Sequence, residues 1–185
     1  MKPPSTHTSV TLGIVAVFSA LVALSTSLAI PLPPPLFEIT WSPPIYMALS
    51  VLVGPWPAFL ATGLGSMIGE GYNITTRGGP PIFVLGILWA RAPEALIIGY
   101  ARRKDRTTLA VIMGIATVYE TLAFLIPDWL FYTYGLFGYG SPTDLKTGFV
   151  TALSDLITIA DVIYVPLAFA IIKAAAPAFR RLGFD

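Results

Sequence analysis

Charge is what this chain has least of. Of 185 residues, 11 are Lys or Arg and 10 are Asp or Glu, together 11%, where a soluble domain carries roughly 25%. Cysteine is absent, which excludes disulfides, thiolate catalysis and cysteine-ligated metals and says nothing about redox compartment. The single histidine, His7, stands alone in a polar N-terminus. No paired-histidine zinc spacing, Ser/His/Asp set or glycine-rich phosphate loop exists, so the chain reads as no enzyme and needs no cofactor or metal. The net charge of +1 offers no basic face to a nucleic acid. What is plentiful is apolar: 55% of the residues, more than one soluble core of this length can hide. The chain reads as a single integral membrane domain over residues 1–185.

A helical span needs roughly 20 mostly apolar residues. Six runs meet or approach that: 10–30, 41–53, 57–70, 81–101, 107–126 and 148–176. Prolines mark the boundaries. Ile30-Pro31-Leu32-Pro33 ends the first run, Gly54-Pro55-Trp56-Pro57 turns between the second and third, and Pro127 is expected to stop the fifth. Only Pro93 and Pro166 fall well inside a predicted helix. Loops 31–40, 71–80 and 127–147 are expected outside. With the N-terminus inside, Lys2, Arg102, Arg103, Lys104, Arg106, Lys173, Arg180 and Arg181 lie on the cytoplasmic side, while only Arg77 and Lys146 lie outside. That asymmetry predicts an all-α, N-in/C-in, multi-pass protein of the cell membrane, its first helix retained as an anchor.

Ionisable groups within spans are costly, so each calls for a partner or a function. Glu94, Glu120, Asp155 and Asp161 face one internal cation, Arg91, and Glu70 sits at the outer end of the third span. Helical phase sets Arg91 beside Glu94 and gathers Thr151, Ser154, Asp155, Thr158 and Asp161 into one polar stripe. Two readings stand. Arg91 pairs internally with Glu94 or Asp161, or the shallower Glu120 and Asp155 meet a ligand. The acidic excess would be balanced by a cationic ligand or by carboxyls kept neutral through desolvation. Outer aromatics, including Phe37, Trp41, Tyr46, Tyr72, Trp129 and Tyr132, form an interfacial belt or a stacking pocket. Within that pocket Trp41, Trp129 and Tyr132 are the leading candidates. Gly65-Ser66-Met67-Ile68-Gly69 is a small-xxx-small pattern for internal packing. Ala16-Val17-Phe18-Ser19-Ala20 packs internally or offers a smooth stripe to another membrane protein. The sequon Asn73-Ile74-Thr75 hugs the membrane and is expected to be unused.

Taken together, the alanine-rich first helix ending in Ile30-Pro31-Leu32-Pro33, the short second helix, Leu52-Val53-Gly54-Pro55-Trp56-Pro57-Ala58, the loop Gly78-Gly79-Pro80-Pro81 and the closing Glu94-Ala95-Leu96-Ile97-Ile98-Gly99-Tyr100-Ala101-Arg102-Arg103 resemble the substrate-binding S components of energy-coupling factor (ECF) vitamin transporters. The resemblance covers roughly residues 10–105. It implies a compact six-helix bundle with an outer-face ligand cavity. It also implies docking on a transmembrane coupling subunit that carries two ABC-type ATPases, with Ala16 and Ala20 matching the docking motif. No nickel, cobalt, biotin or riboflavin signature is complete. The acidic, aromatic outer cavity makes a thiamine-like or pyrimidine-like ligand the first expectation, with Trp41, Glu70, Arg91, Glu120, Trp129, Tyr132 and Asp155 as binding residues. A structural scaffold protein and a proton-coupled carrier using Glu120, Asp155 and Asp161 are the alternatives.

Overall fold

The apolar runs fold as helices whose ends follow local chemistry. In the computed structural model, which describes residues 6–32 and 38–184, the order is α1 (Thr6–Ser27), α2 (Pro43–Val53), α3 (Pro55–Arg77), α4 (Ile82–Tyr100), α5 (Arg106–Tyr134), α6 (Leu145–Ala152) and α7 (Val165–Arg181). A 3₁₀ helix, Leu153–Tyr164, links the last two, and a two-residue antiparallel ladder pairs Ile30 with Ile39 and Pro31 with Glu38. Lys2, Phe37 and the side chain of His7 lie outside what is described. Asp105 and Asp144 cap α5 and α6, accepting from the backbone N–H groups of Thr107 and Thr108 and of Lys146 and Thr147. Gly54, at φ +87°, makes the turn between α2 and α3, a backbone region that L side chains avoid.

Four helical stretches are long and apolar enough to cross a membrane: 8–27, 82–100, 106–134 and 145–181. Their outward faces expose large aliphatic side chains such as Leu24, Leu85, Val111, Ile126, Ile159 and Ile163, as a lipid-facing surface requires. By length and composition these four are candidate membrane spans. At 11 residues α2 is too short to cross ~30 Å of hydrocarbon. It is instead apolar on every side and buried in the centre, with Tyr46, Met47, Ala48 and Leu49 almost wholly covered.

Gly65 and Gly69 let α1 and α3 meet backbone to backbone. A Cβ on Gly65 would lie 2.5 Å from the Ser19 carbonyl oxygen, and one on Gly69 would lie 2.6 Å from that of Ala23. The expected internal packing of this pair is therefore present. Ser19, Val22 and Thr26 take the buried side of α1, which leaves Ala16 and Ala20 exposed. One end of the bundle gathers the start of α1, the Gly54 turn against Arg102, the 101–105 loop and Phe179 of α7.

Three boundaries differ from expectation. α3 runs on to Arg77 instead of ending at residue 70, so residues 71–77 are helix and not loop. Pro127 does not stop α5, which continues to Tyr134. A proline frees the carbonyl four residues earlier, here that of Ala123, and the Trp89 indole N–H donates to it at 3.0 Å. Pro93 frees the Trp89 carbonyl in the same way, and the Tyr119 hydroxyl donates to that oxygen at 2.8 Å. The two interrupted helices thus repair each other, so both persist in an environment that punishes unpaired backbone. The last span is not one continuous helix either. Its 12-residue 3₁₀ segment has 3.0 residues per turn, so residues three apart eclipse. Asp155, Thr158, Asp161 and Tyr164 form its inward row, while Leu156, Ile159 and Val162 face out.

Candidate functional site

α2, α4 and α5 bring five polar side chains into the centre. Arg91 Nε donates to Glu120 Oε1 at 2.8 Å in a buried ion pair. Glu94, one turn further along α4, accepts from the Tyr46 hydroxyl at 2.7 Å and from the Thr117 hydroxyl at 3.1 Å. The Tyr46 oxygen also lies 3.5 Å from Glu120 Oε2. This corrects the expected pairing of Arg91 with Glu94 or Asp161. The guanidinium crosses to α5, and Glu94 is left to neutral hydroxyl donors.

Above this group a cavity of about 240 Å³ opens between α3, α4, α5 and the 3₁₀ helix. It lies near the N-terminus of α4, the end away from the basic 101–105 loop. Its polar lining includes Glu70, Arg77, Arg91, Asp155 and Thr158, and its apolar walls include Phe83, Ile87, Phe124 and Ile157. Thr158 is held by a 2.8 Å hydrogen bond to Thr121. A second void of about 30 Å³ lies beside Thr40, Asp161 and Tyr164, so Arg91 stands between the two spaces. Asp155 and Asp128 lie within hydrogen-bonding reach of each other, and Tyr139 donates to Asp128 Oδ1 at 2.5 Å. Burial, and then the neighbouring Asp128, push the Tyr139 hydroxyl above its ordinary range, so this loop residue stays a donor.

Of the seven expected binding residues, Glu70, Arg91 and Asp155 line the cavity. Glu120 is fully buried behind Arg91 and acts on the cavity through it. The three aromatics lie elsewhere. Trp41 is 46% exposed and packs against Tyr164. Trp129 donates its indole N–H to the Leu145 carbonyl and stacks edge-on against Phe149. Tyr132 meets Tyr139 edge-on at 4.6 Å. Trp129 and Tyr132 tie the end of α5 to α6 and to the loop between them, while Trp41 rests on the 3₁₀ helix. The rings in the cavity wall are instead Phe83 and Phe124, whose positions within apolar helices gave no sign of a cavity. The Asn73 sequon is engaged internally, since Asn73 is buried and its Nδ2 donates to the Thr26 carbonyl.

At the helix ends, the Thr108 side chain followed by its backbone N–H lowers the Asp105 carboxyl below its ordinary range, and Thr147 does the same for Asp144. Among the described residues no cluster of three or more His, Cys, Asp and Glu could hold a metal ion. No family model and no curated protein matches the chain.

Proposed function

We propose that this chain is the substrate-binding S component of an ECF-type transporter. It would capture a small water-soluble vitamin or related heterocycle outside the cell membrane and hand it to a transmembrane coupling subunit driven by ABC-type ATPases. The observation that carries this reading is the cavity. It combines a charged donor, a buried carboxyl and two aromatic walls in a recess of about 240 Å³, the mixture that small-molecule sites use. Six spans with both termini inside are part of the same reading. They put the basic loop Arg102-Arg103-Lys104 and the Arg180-Arg181 end together in the cytoplasm and the cavity mouth outside. Exposed Ala16 and Ala20 on α1 form the coupling-subunit contact. A pyrimidine-like ring suits the Phe83 and Phe124 walls. The charge count behind a thiamine-like cation is weakened, because the cavity lining sets a second cation, Arg77, beside Arg91 against Glu70 and Asp155.

The test separates capture from docking. Asp155→Asn weakens ligand binding and leaves co-purification with the coupling subunit intact. Ala16→Trp and Ala20→Trp spare binding and abolish that co-purification. If both kinds of variant affect binding equally, the division of labour is wrong. If the lone protein in liposomes accumulates solute under a pH gradient, it is a carrier instead.

A further inference from the structure

Arg91 is 7% exposed and uses two of its three guanidinium nitrogens, Nε on Glu120 at 2.8 Å and Nη2 on Thr40 at 3.5 Å. Nη1 is buried and has no acceptor among the described residues. A buried, charged donor left without a partner is costly, and this one belongs to a side chain in the cavity wall. The acceptor it lacks need not be an anion. Glu120 already balances the guanidinium, and Glu94 and Asp161 lie close by. A further negative charge would meet three carboxyls with no second cation in that group.

Asp155 supplies the complementary need. It is 4% exposed, and among the described residues no N–H or O–H donates to its Oδ2. The Tyr139 hydroxyl serves Asp128 Oδ1, so Asp155 receives at most a proton shared with Asp128, and each carboxyl oxygen can accept more than one bond. The 3₁₀ geometry keeps Asp155 in register with Thr158, on the row that faces the cavity. The same cavity that Arg91 and Asp155 line has apolar walls from Phe83, Ile87, Phe124 and Ile157. The lining sets Arg77 and Arg91 against the carboxyls of Glu70 and Asp155, so it carries no excess of either sign that calls for a charged ligand.

Resting on the capture reading, we infer that the ligand is an uncharged planar heterocycle of cyclic amide or ureide type, with a ring carbonyl accepting from Arg91 Nη1 and a ring N–H donating to Asp155. Its ring lies between Phe83 and Phe124.

Equilibrium dialysis of the purified full chain against uracil, xanthine, riboflavin, pyrimidine and thiamine tests this. Pyrimidine is the uracil ring without its carbonyls, and thiamine is the cationic arm. The tightest ligand is expected to carry a ring carbonyl and N–H, and to exceed pyrimidine and thiamine by roughly a hundredfold, the worth of two such bonds. Arg91→Lys keeps the charge but loses Nη1, and should weaken that ligand by about ten- to a hundredfold. If the variant does not fold, the wild-type ranking alone decides. Thiamine or pyrimidine as the tightest ligand, no binding across the panel, or an affinity unchanged in folded Arg91→Lys overturns the assignment. In each case a small molecule found by mass spectrometry in the purified protein preserves the capture reading. The absence of both a panel ligand and a co-purified molecule removes both.

Discussion

Glu94 and Glu120 are fully buried and held by Tyr46, Thr117 and Arg91; the one Tyr46 proton goes to Glu94 Oε2 at 2.7 Å, and Glu120 Oε2 keeps a 3.5 Å contact to the same hydroxyl. Asp128 and Asp155 are also buried, yet among the described residues the Oδ2 atom of each has no donor. The first pair lies deep between α2, α4 and α5; the second lies where α5 and the 3₁₀ helix meet, with Asp155 in the cavity wall. The difference separates two uses of buried charge. The inner group is closed, and its role is to hold Arg91 in one place. The outer group is open, and what completes it comes from elsewhere.

Removing a member of the closed group should therefore cost stability, and removing a member of the open group should cost binding. The largest effect is expected from Glu120→Gln, which leaves the Arg91 charge without its counter-charge. A loss of about 3–5 kcal/mol follows from breaking a buried pair on one side, measurable as denaturant unfolding in detergent. Trp89→Phe comes next. It strips the donor from the Ala123 carbonyl and should cost about 1 kcal/mol, read in the same unfolding assay. Asp155→Asn should change stability by less than about 1 kcal/mol, because an amide can still bond Asp128, while ligand affinity falls. A stability loss for Asp155→Asn as large as that for Glu120→Gln would erase the distinction between the groups.

The smallest effect lies outside both groups. Asp105 and Asp144 have carboxyls lowered by their cap bonds, so the stability they add is fully present above the ordinary aspartate value of about 3.9. It is lost as the pH falls through their lower folded-state values. Protection of the amides in the first turns of α5 and α6, taken relative to their intrinsic exchange rates at each pH, should fall over that acid range and stay flat above it. Asp105→Asn and Asp144→Asn should reduce the acid dependence.

Helix content and the central polar residues were legible from composition and spacing, because an apolar run of 20 residues has few other uses and a buried ionisable group stands out against it. The Gly65 and Gly69 contact was legible for the same local reason. Four features were not. Pro127 reads as a stop unless Trp89, 38 residues earlier in the chain, is known to face the freed carbonyl. The partner of Arg91 depends on which neighbouring helix its side chain crosses to, and helical phase within α4 says nothing about that. The 3₁₀ stretch was hidden because Asp155, Thr158 and Asp161 also fit a polar α-helical stripe. The cavity rings Phe83 and Phe124 carry no marker distinguishing them from lipid-facing phenylalanines.

The account rests most directly on whether the cavity between α3, α4, α5 and the 3₁₀ helix is occupied in the cell. Mass spectrometry of small molecules released from purified wild-type protein and from Ile157→Trp, whose larger ring fills that space, decides it. The prediction is a stoichiometric heterocycle in the wild type and none in the variant, with the two proteins equally stable. The same compound retained by Ile157→Trp, or no compound in either protein, would contradict it.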